Sequence, residues 1–241
     1  MTTAVTTTPA VARIEELVAA VPGWSPGDQL AALYNLVFAS PLEGDVIEIG
    51  SWCGRSAVAL GLAAQAAGGT AVHAVDLFPA RGDWRRNADG TYSLVVQVRG
   101  REVRSCQDQR VWAEPFARDI EPVYRTCHSV REIFDRTIAR AGLTDVVRPF
   151  QGTLELFAAE APAGLRCRLA FVDGEHSYEA VCREIEVIER FLLPGGWICF
   201  DDAFSCYDGV DGAIADRILG SGRYDRAQQL TRKLFVARRR G

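Results

Sequence analysis

Two clusters of polar residues in this sequence have the types and spacing for chemistry. In the first, an apolar run over 46–49 empties into Gly50-Ser51-Trp52-Cys53-Gly54-Arg55-Ser56 and then a helix-compatible run over 55–67. Glu48 stands just before the first glycine. A buried parallel strand, a glycine turn and a helix N-terminus form the junction at which open α/β sheets seat a nucleotide-like cofactor. Gly50 and Gly54 lack the Cβ that would hold the backbone away from such a ligand. The second cluster is Asp173-Gly174-Glu175-His176-Ser177-Tyr178-Glu179, after a strand over 168–172, together with Asp201-Asp202, after a strand over 197–200. A buried strand that empties into a run of polar side chains is poor packing but a good site. Neighbouring parallel strand ends lie about 5 Å apart, so up to three carboxylates converge. Uncompensated, they repel and one pKa rises. A hard divalent cation on oxygen ligands, most naturally Mg²⁺, resolves the conflict. In the competing reading one acid binds the cofactor and the others cap helices or pair with arginines; the residues alone leave both open.

These clusters need a sheet to position them. A strand over 70–75 ends at Asp76, about 20 residues past the glycine loop, where an acid can accept hydrogen bonds from both hydroxyls of a ribose; a helix cap or turn is the alternative role. A helix over 130–141, with Ser129 as its cap, leads to a strand over 146–150. Gln151-Gly152-Thr153 then falls on the cofactor side of the sheet, with a helix cap at Thr153 as the competing role. A helix over 178–191 carries Val181, Ile185, Ile188 and Leu192 at core spacing, and Pro194-Gly195-Gly196 turns into the strand that ends at Asp201-Asp202. Segments 224–230 and 233–237 alternate as an antiparallel hairpin does. Of the three histidines, His73 reads as a packed strand residue, His128 has no identifiable partner, and His176 has the best location for chemistry.

The remainder decorates that sheet. Residues 1–9 are expected to be disordered. One helix starts at Pro9 and stops at Pro22-Gly23; a second starts at Ser25-Pro26, with Leu30, Leu33, Tyr34, Val37 and Phe38 on its apolar face. Residues 1–44 are thus a tail and two packing helices within a single domain over 1–241. Residues 77–128 break the sheet rhythm. They are arginine-rich, with Trp84, Tyr92, Trp112 and Tyr124 interspersed and a strand or hairpin arm over 91–98. A segment this long reads as a lid, a substrate-binding insertion or an oligomer arm. Arg81, Arg85 and Arg86 are candidates to hold an anionic substrate group, a solvated surface being an equally good account of each.

The chain has 241 residues and 48% hydrophobic content, enough for one α/β domain with a sizeable core. A net charge of −4 argues against a nucleic-acid or membrane-surface partner. Seven scattered cysteines without a C-x-x-C pair point to free thiols in a reducing, cytoplasmic compartment. Neither a secretory signal nor a membrane-length apolar run is visible. Lys233 is the only lysine among many arginines, which reads as codon composition rather than mechanism. The N-terminal helices offer a surface for homo-oligomer assembly.

The glycine loop, read as E-x-G-x-x-x-G-x-S, resembles the first motif of class I S-adenosylmethionine-dependent methyltransferases. The likeness implies a Rossmann-like, mostly parallel seven-stranded sheet with a terminal antiparallel hairpin, and it makes the two helices within residues 1–44 cover helices over the active site. It assigns Glu48, Gly50, Ser51, Gly54, Ser56, Asp76, Gly152, Thr153 and Asp173 to the cofactor, with Gly152-Thr153 beside the adenine. D-G-E-H-S-Y-E followed by P-G-G-x-x-x-x-D-D resembles one branch of these enzymes, the metal-dependent O-methyltransferases of antibiotic and macrolide-sugar biosynthesis and relatives linked to cephalosporin tailoring. The resemblance covers about residues 45–76 and 129–219. It makes Asp173, Asp201 and Asp202 the metal ligands and His176 the general base, or Glu175 as in other members.

The function so implied is methyl transfer to a small-molecule hydroxyl. The sulfonium methyl is already electrophilic, whereas an alcohol is a poor nucleophile at neutral pH. Mg²⁺ on two adjacent substrate oxygens would favour the alkoxide. His176 would take the proton, and an in-line arrangement of oxygen, methyl and sulfur would supply much of the rest. Competing readings are a metal-independent N- or C-methyltransferase, a nicotinamide-dependent oxidoreductase (disfavoured by the missing G-x-G-x-x-G) and a non-catalytic cofactor-binding domain.

Overall fold

The computed structural model describes residues 8–104 and 110–241; the tail expected to be disordered lies outside them except for Thr8 and Pro9. Helix α1 (Pro9–Val18) starts on its proline, and Thr8 Oγ1 accepts the Val11 N–H at 3.4 Å. Helix α2 (Gly27–Phe38) buries Leu30, Leu33 and Val37 completely, each contributing about 1.5–3 kcal/mol. Phe38, expected on the apolar face, is exposed and instead stacks on Tyr34.

Strand β1 (Asp45–Ile49), helix α3 (Arg55–Ala66) and strand β2 (Val72–Asp76) form the first βαβ unit. The insertion follows as a separate antiparallel sheet of β3 (Trp84–Arg86), β4 (Tyr92–Val98) and β5 (Arg101–Arg104). A short turn of helix, α4 (Ala113–Pro115), continues as a wide turn through Ile120 and a tight one through Arg125. Tyr92 stacks on Phe116 with ring centroids 3.8 Å apart, and Trp84 Nε1 donates to the Tyr124 hydroxyl at 2.9 Å. Leu94, Val96 and Val98, with Trp84 packed against them, give the insertion its own small core, whereas Trp112 is exposed.

Then come α5 (Val130–Ala141), β6 (Val147–Gln151), α6 (Leu154–Glu160), β7 (Cys167–Val172), α7 (Tyr178–Ile188), β8 (Leu192–Phe200), α8 (Asp208–Ala213), β9 (Tyr224–Gln229) and β10 (Phe235–Arg239). The main sheet has seven strands in the order β6-β2-β1-β7-β8-β10-β9. Its first five strands are parallel, and β10 runs antiparallel to both β8 and β9. This is the expected Rossmann-like sheet with a terminal antiparallel hairpin. Successive strand residues face opposite layers. Leu169 and Phe171 pack under α1, α2, α3 and α5, while Ala170 and Val172 pack under α6, α7 and α8. Strand β8 starts earlier than expected. Pro194-Gly195-Gly196 is not a turn before the strand but an irregular stretch inside it, where β8 advances from Leu192 to Trp197 while β7 advances from Cys167 to Leu169.

The strand order reverses between β1 and β7, because β1 continues to β2 while β7 continues to β8. A crevice opens at the carboxyl ends of the two strands there. Gly50 and Trp52 of the first polar cluster, and Asp173, His176, Asp201 and Asp202 of the second, line it.

Candidate active site

The pairs Ile49–Val75 and Ile49–Val172 end β1 level with its neighbours. The chain then turns at Gly50, whose φ is +85°. A Cβ at this position would stand 1.9 Å from the Asp173 carbonyl oxygen, so only glycine lets the two strand ends come this close. The loop is drawn toward β2 by Asp76. Its carboxylate accepts the Trp52 N–H at 2.8 Å and the Phe78 N–H at 2.5 Å. Burial pushes Asp76 up, and these backbone donors pull it back.

Glu48 lies beneath the loop, fully buried, and accepts the Ser51 hydroxyl at 2.6 Å. Burial pushes its carboxyl up to about 7, against hydrogen bonds from Ser51 and Ser56. Ser51, Gly54 and Ser56 are buried with it, and none of the four lines the cavity above. They shape the loop from below.

The crevice is a cavity of about 1120 Å³. Its floor includes Gly50, Asp76, Gly152, Thr153, Asp173 and Asp202. Trp24, Pro26 and Asp28 reach it from the N-terminal segment, and Trp84, Leu94, Val111 and Ile120 from the insertion. Thr153 Oγ1 accepts the Leu156 N–H at 3.3 Å, so this residue caps α6 as well as lining the cavity. Arg85 and Arg86 do not line it, and neither does Arg81, which pairs with Glu121 at 3.3 Å and lies over the Phe116 ring. The structure thus does not bring the candidate anion-holding arginines to the crevice.

Asp173 follows Val172, and Asp201 follows the Val172 partner Phe200, so the acids converge as the parallel register dictates. Burial drives Asp173 well above the usual carboxylate range; the charges of Asp201 and Asp202 add to this and Lys233 opposes it. Lys233 Nζ lies 2.8 Å from Asp201 Oδ2 and 3.3 Å from Asp202 Oδ1. Burial raises Asp202, but His176 and Lys233 outweigh it and hold the carboxyl below its ordinary value. His176 Nε2 is 3.3 Å from Asp202 Oδ2 without the alignment of a hydrogen bond, and its ring stacks on Tyr207 at 4.0 Å. Ser177, the next residue, caps α7 through the Ala180 N–H, which fixes the loop that carries His176. Glu175 also lines the cavity.

The donors fit a hard cation. One ligand atom each from Asp173, His176 and Asp202 lies within 4.8 Å of the others, and Asp201 Oδ1 is buried with no hydrogen-bond partner among the described residues.

Sequence reasoning missed four contributors. Lys233, taken as a matter of composition, sits inside the acid cluster; a lone lysine in a chain that otherwise uses arginine was the available signal. Trp52 lines the cavity with φ of +46° and a buried indole N–H that has no partner among the described residues. Tyr207 stacks on His176 from a loop with no pattern of its own. Glu184 is a helix residue on the cavity wall, pushed up to about 8 by burial and then by Glu175 and Glu155.

The crevice, with an acid ending each of β2, β7 and β8, lies where open α/β sheets bind their ligands. A family model described as "Methyltransferase domain" matches residues 47–203, and the chain belongs to that methyltransferase family. Solved structures share the fold. The O-methyltransferase NovP is 15% identical, with 96% of this chain and 97% of that chain covered at a TM-score of 0.66. An O-methyltransferase from Bacillus cereus, in complex with S-adenosylhomocysteine, is 16% identical over 99% and 94% of the two chains at 0.59. CalS11, a calicheamicin methyltransferase, is 19% identical over 97% and 94% at 0.56; it is also described as a TDP-rhamnose 3′-O-methyltransferase.

Proposed function

We propose that this methyltransferase moves the methyl group of S-adenosylmethionine to a hydroxyl of a small molecule, a sugar or polyketide-type natural product, with help from a divalent ion. The observation that carries the reading is the single cavity shared by Gly50, Asp76, Asp173, His176 and Asp202. Its size suits a nucleoside cofactor with a small acceptor beside it. CalS11, a TDP-rhamnose 3′-O-methyltransferase of the same fold, acts on an acceptor of this kind.

In this reading Asp76 accepts the ribose hydroxyls, and the turn at Gly50 carries the amino-acid end of the cofactor. Gly152 and Thr153 flank the adenine. Asp173, Asp201 and Asp202 hold the ion. S-adenosylmethionine supplies an electrophilic methyl, and Mg²⁺ supplies a positive field that acidifies an adjacent hydroxyl. His176 accepts the hydroxyl proton, and Asp202, whose Oδ2 lies 3.3 Å from Nε2, stabilises the resulting imidazolium; Glu175 is the alternative acceptor. The Tyr207 ring fixes the imidazole plane. The N-terminal segment and the insertion, residues 77–128, exclude water and select the acceptor.

A second reading, metal-independent N- or C-methyl transfer, is favoured by one observation: Lys233 already neutralises part of the acid cluster. A panel of vicinal diols, amines and carbon acids, incubated with cofactor and with or without chelator, tests both. Methylated diol that vanishes with chelator and returns with Mg²⁺ supports the first. Methylated amine or carbon product that is indifferent to chelator replaces it with the second.

A further inference from the structure

The acid cluster contains its own cation. Lys233 lies in the turn between β9 and β10, on an edge of the fold remote in sequence from the acids it meets. Its backbone is fixed, since its carbonyl accepts the Ala203 N–H at 3.0 Å. Its side chain is only 15% exposed and puts Nζ on Asp201 Oδ2 and Asp202 Oδ1. Two carboxylate oxygens are left: Asp201 Oδ1, buried without a partner among the described residues, and Asp202 Oδ2, which faces His176. A divalent ion held by Asp201 and Asp202 would take these two oxygens, on the same two carboxylates whose other oxygens the ammonium holds. Two cations in direct contact with one pair of carboxylates repel, and the lysine stem is flexible enough to withdraw its head group while the backbone stays in place.

We propose that Lys233 is a built-in counter-cation that competes with the divalent ion for Asp201 and Asp202, so that the ion binds only as the ammonium withdraws. The inference rests on the metal-assisted reading above. It makes Lys233 a positioning residue. Without the ion, the ammonium keeps the two β8 acids paired and the crevice formed. With the ion, the displaced side chain moves toward the cavity rim, where Arg232 already lies. The chain's ion affinity is accordingly lower than its acids alone would give.

The test is Mn²⁺ binding, followed by electron paramagnetic resonance of the free ion on protein saturated with S-adenosylhomocysteine. Lys233→Met should bind Mn²⁺ more tightly than the parent by about tenfold or more, within the range by which one bound group commonly changes the affinity for another. Lys233→Arg, which keeps the charge, should stay near the parent. Asp202→Asn should abolish binding in either background. Thermal melting supplies a second readout: Mn²⁺ should raise the melting temperature of Lys233→Met more than that of the parent. Should Lys233→Met fail to fold, Lys233→Gln keeps a donor for Asp201, lacks the charge, and should show the same tightening. Equal Mn²⁺ affinity in the parent and the charge-free variants overturns the competition while the ion site stands. No Mn²⁺ binding by any variant overturns the metal-assisted reading itself, and this inference with it.

Discussion

Replacing Glu48 by glutamine should remove a specific pH dependence from the stability of the fold. Glu48 is fully buried under the glycine loop, and burial raises its carboxyl from 4.5 to about 7. The folded state therefore holds a proton that the unfolded chain has released over this range. An acid with a raised folded-state pKa contributes stability that is present below the unfolded value and lost as pH climbs through the folded one. The loss runs from about pH 4.5 to about pH 7, at about 1.4 kcal/mol per pH unit, and totals about 3 kcal/mol. Glutamine is nearly the same shape, can still accept the Ser51 hydroxyl, and does not ionise. Urea denaturation of both proteins across this window is the assay. The unfolding free energy of Glu48→Gln relative to the parent should rise by about 3 kcal/mol between about pH 4.5 and about pH 8. Other titrating groups, Glu184 among them, are common to both proteins and cancel. Parallel pH profiles for the two would refute the buried, protonated Glu48.

Three further outcomes follow from the same geometry. Gly50→Ala places a Cβ 1.9 Å from the Asp173 carbonyl at a φ of +85°. It should cost about 3 kcal/mol or more in urea denaturation, beyond the usual range for a surface glycine, and should weaken S-adenosylhomocysteine in calorimetry. Asp76→Ala removes the proposed ribose acceptor and orphans the Trp52 and Phe78 N–H groups; calorimetry should show a roughly 10- to 100-fold loss of S-adenosylhomocysteine affinity. His176→Ala should lower kcat by about 10²- to 10⁴-fold with S-adenosylhomocysteine affinity within about threefold of the parent, because the ring bonds no part of the cofactor loop; a kcat close to the parent would move the base to Glu175.

The parts of the fold that could be read in advance are those in which a local pattern coincides with a tertiary role. The run 46–49 followed by Gly50 shows both a strand end and a close approach, and the structure supplies the reason: the Asp173 carbonyl occupies the space of a side chain. The parallel register carries Asp173 and Asp201 to one place because both follow paired residues, Val172 and Phe200. Lys233 was illegible for the opposite reason. It comes from an antiparallel turn at the far end of the chain, and no spacing in the sequence links it to residues 173, 201 and 202. The Pro194-Gly195-Gly196 stretch misled because proline and glycine mark turns on average, whereas here they fill an irregular strand start against β7. In the insertion, the aromatics were visible, but their pairing across Tyr92 and Phe116 was not. That pairing, and not any nearby periodicity, turns the segment into a cavity wall and leaves Arg81 outside it.

The measurement that bears most directly on the proposed chemistry is a crystal structure grown with S-adenosylhomocysteine and Mn²⁺, with diffraction data collected for the anomalous signal of manganese. The account predicts the ribose hydroxyls on the Asp76 carboxylate and one anomalous peak among Asp173, Asp201 and Asp202, with Lys233 Nζ moved off the carboxylates. Nucleoside density away from Asp76, or a cofactor-loaded crevice with no anomalous peak and Lys233 still seated on Asp201, would contradict it.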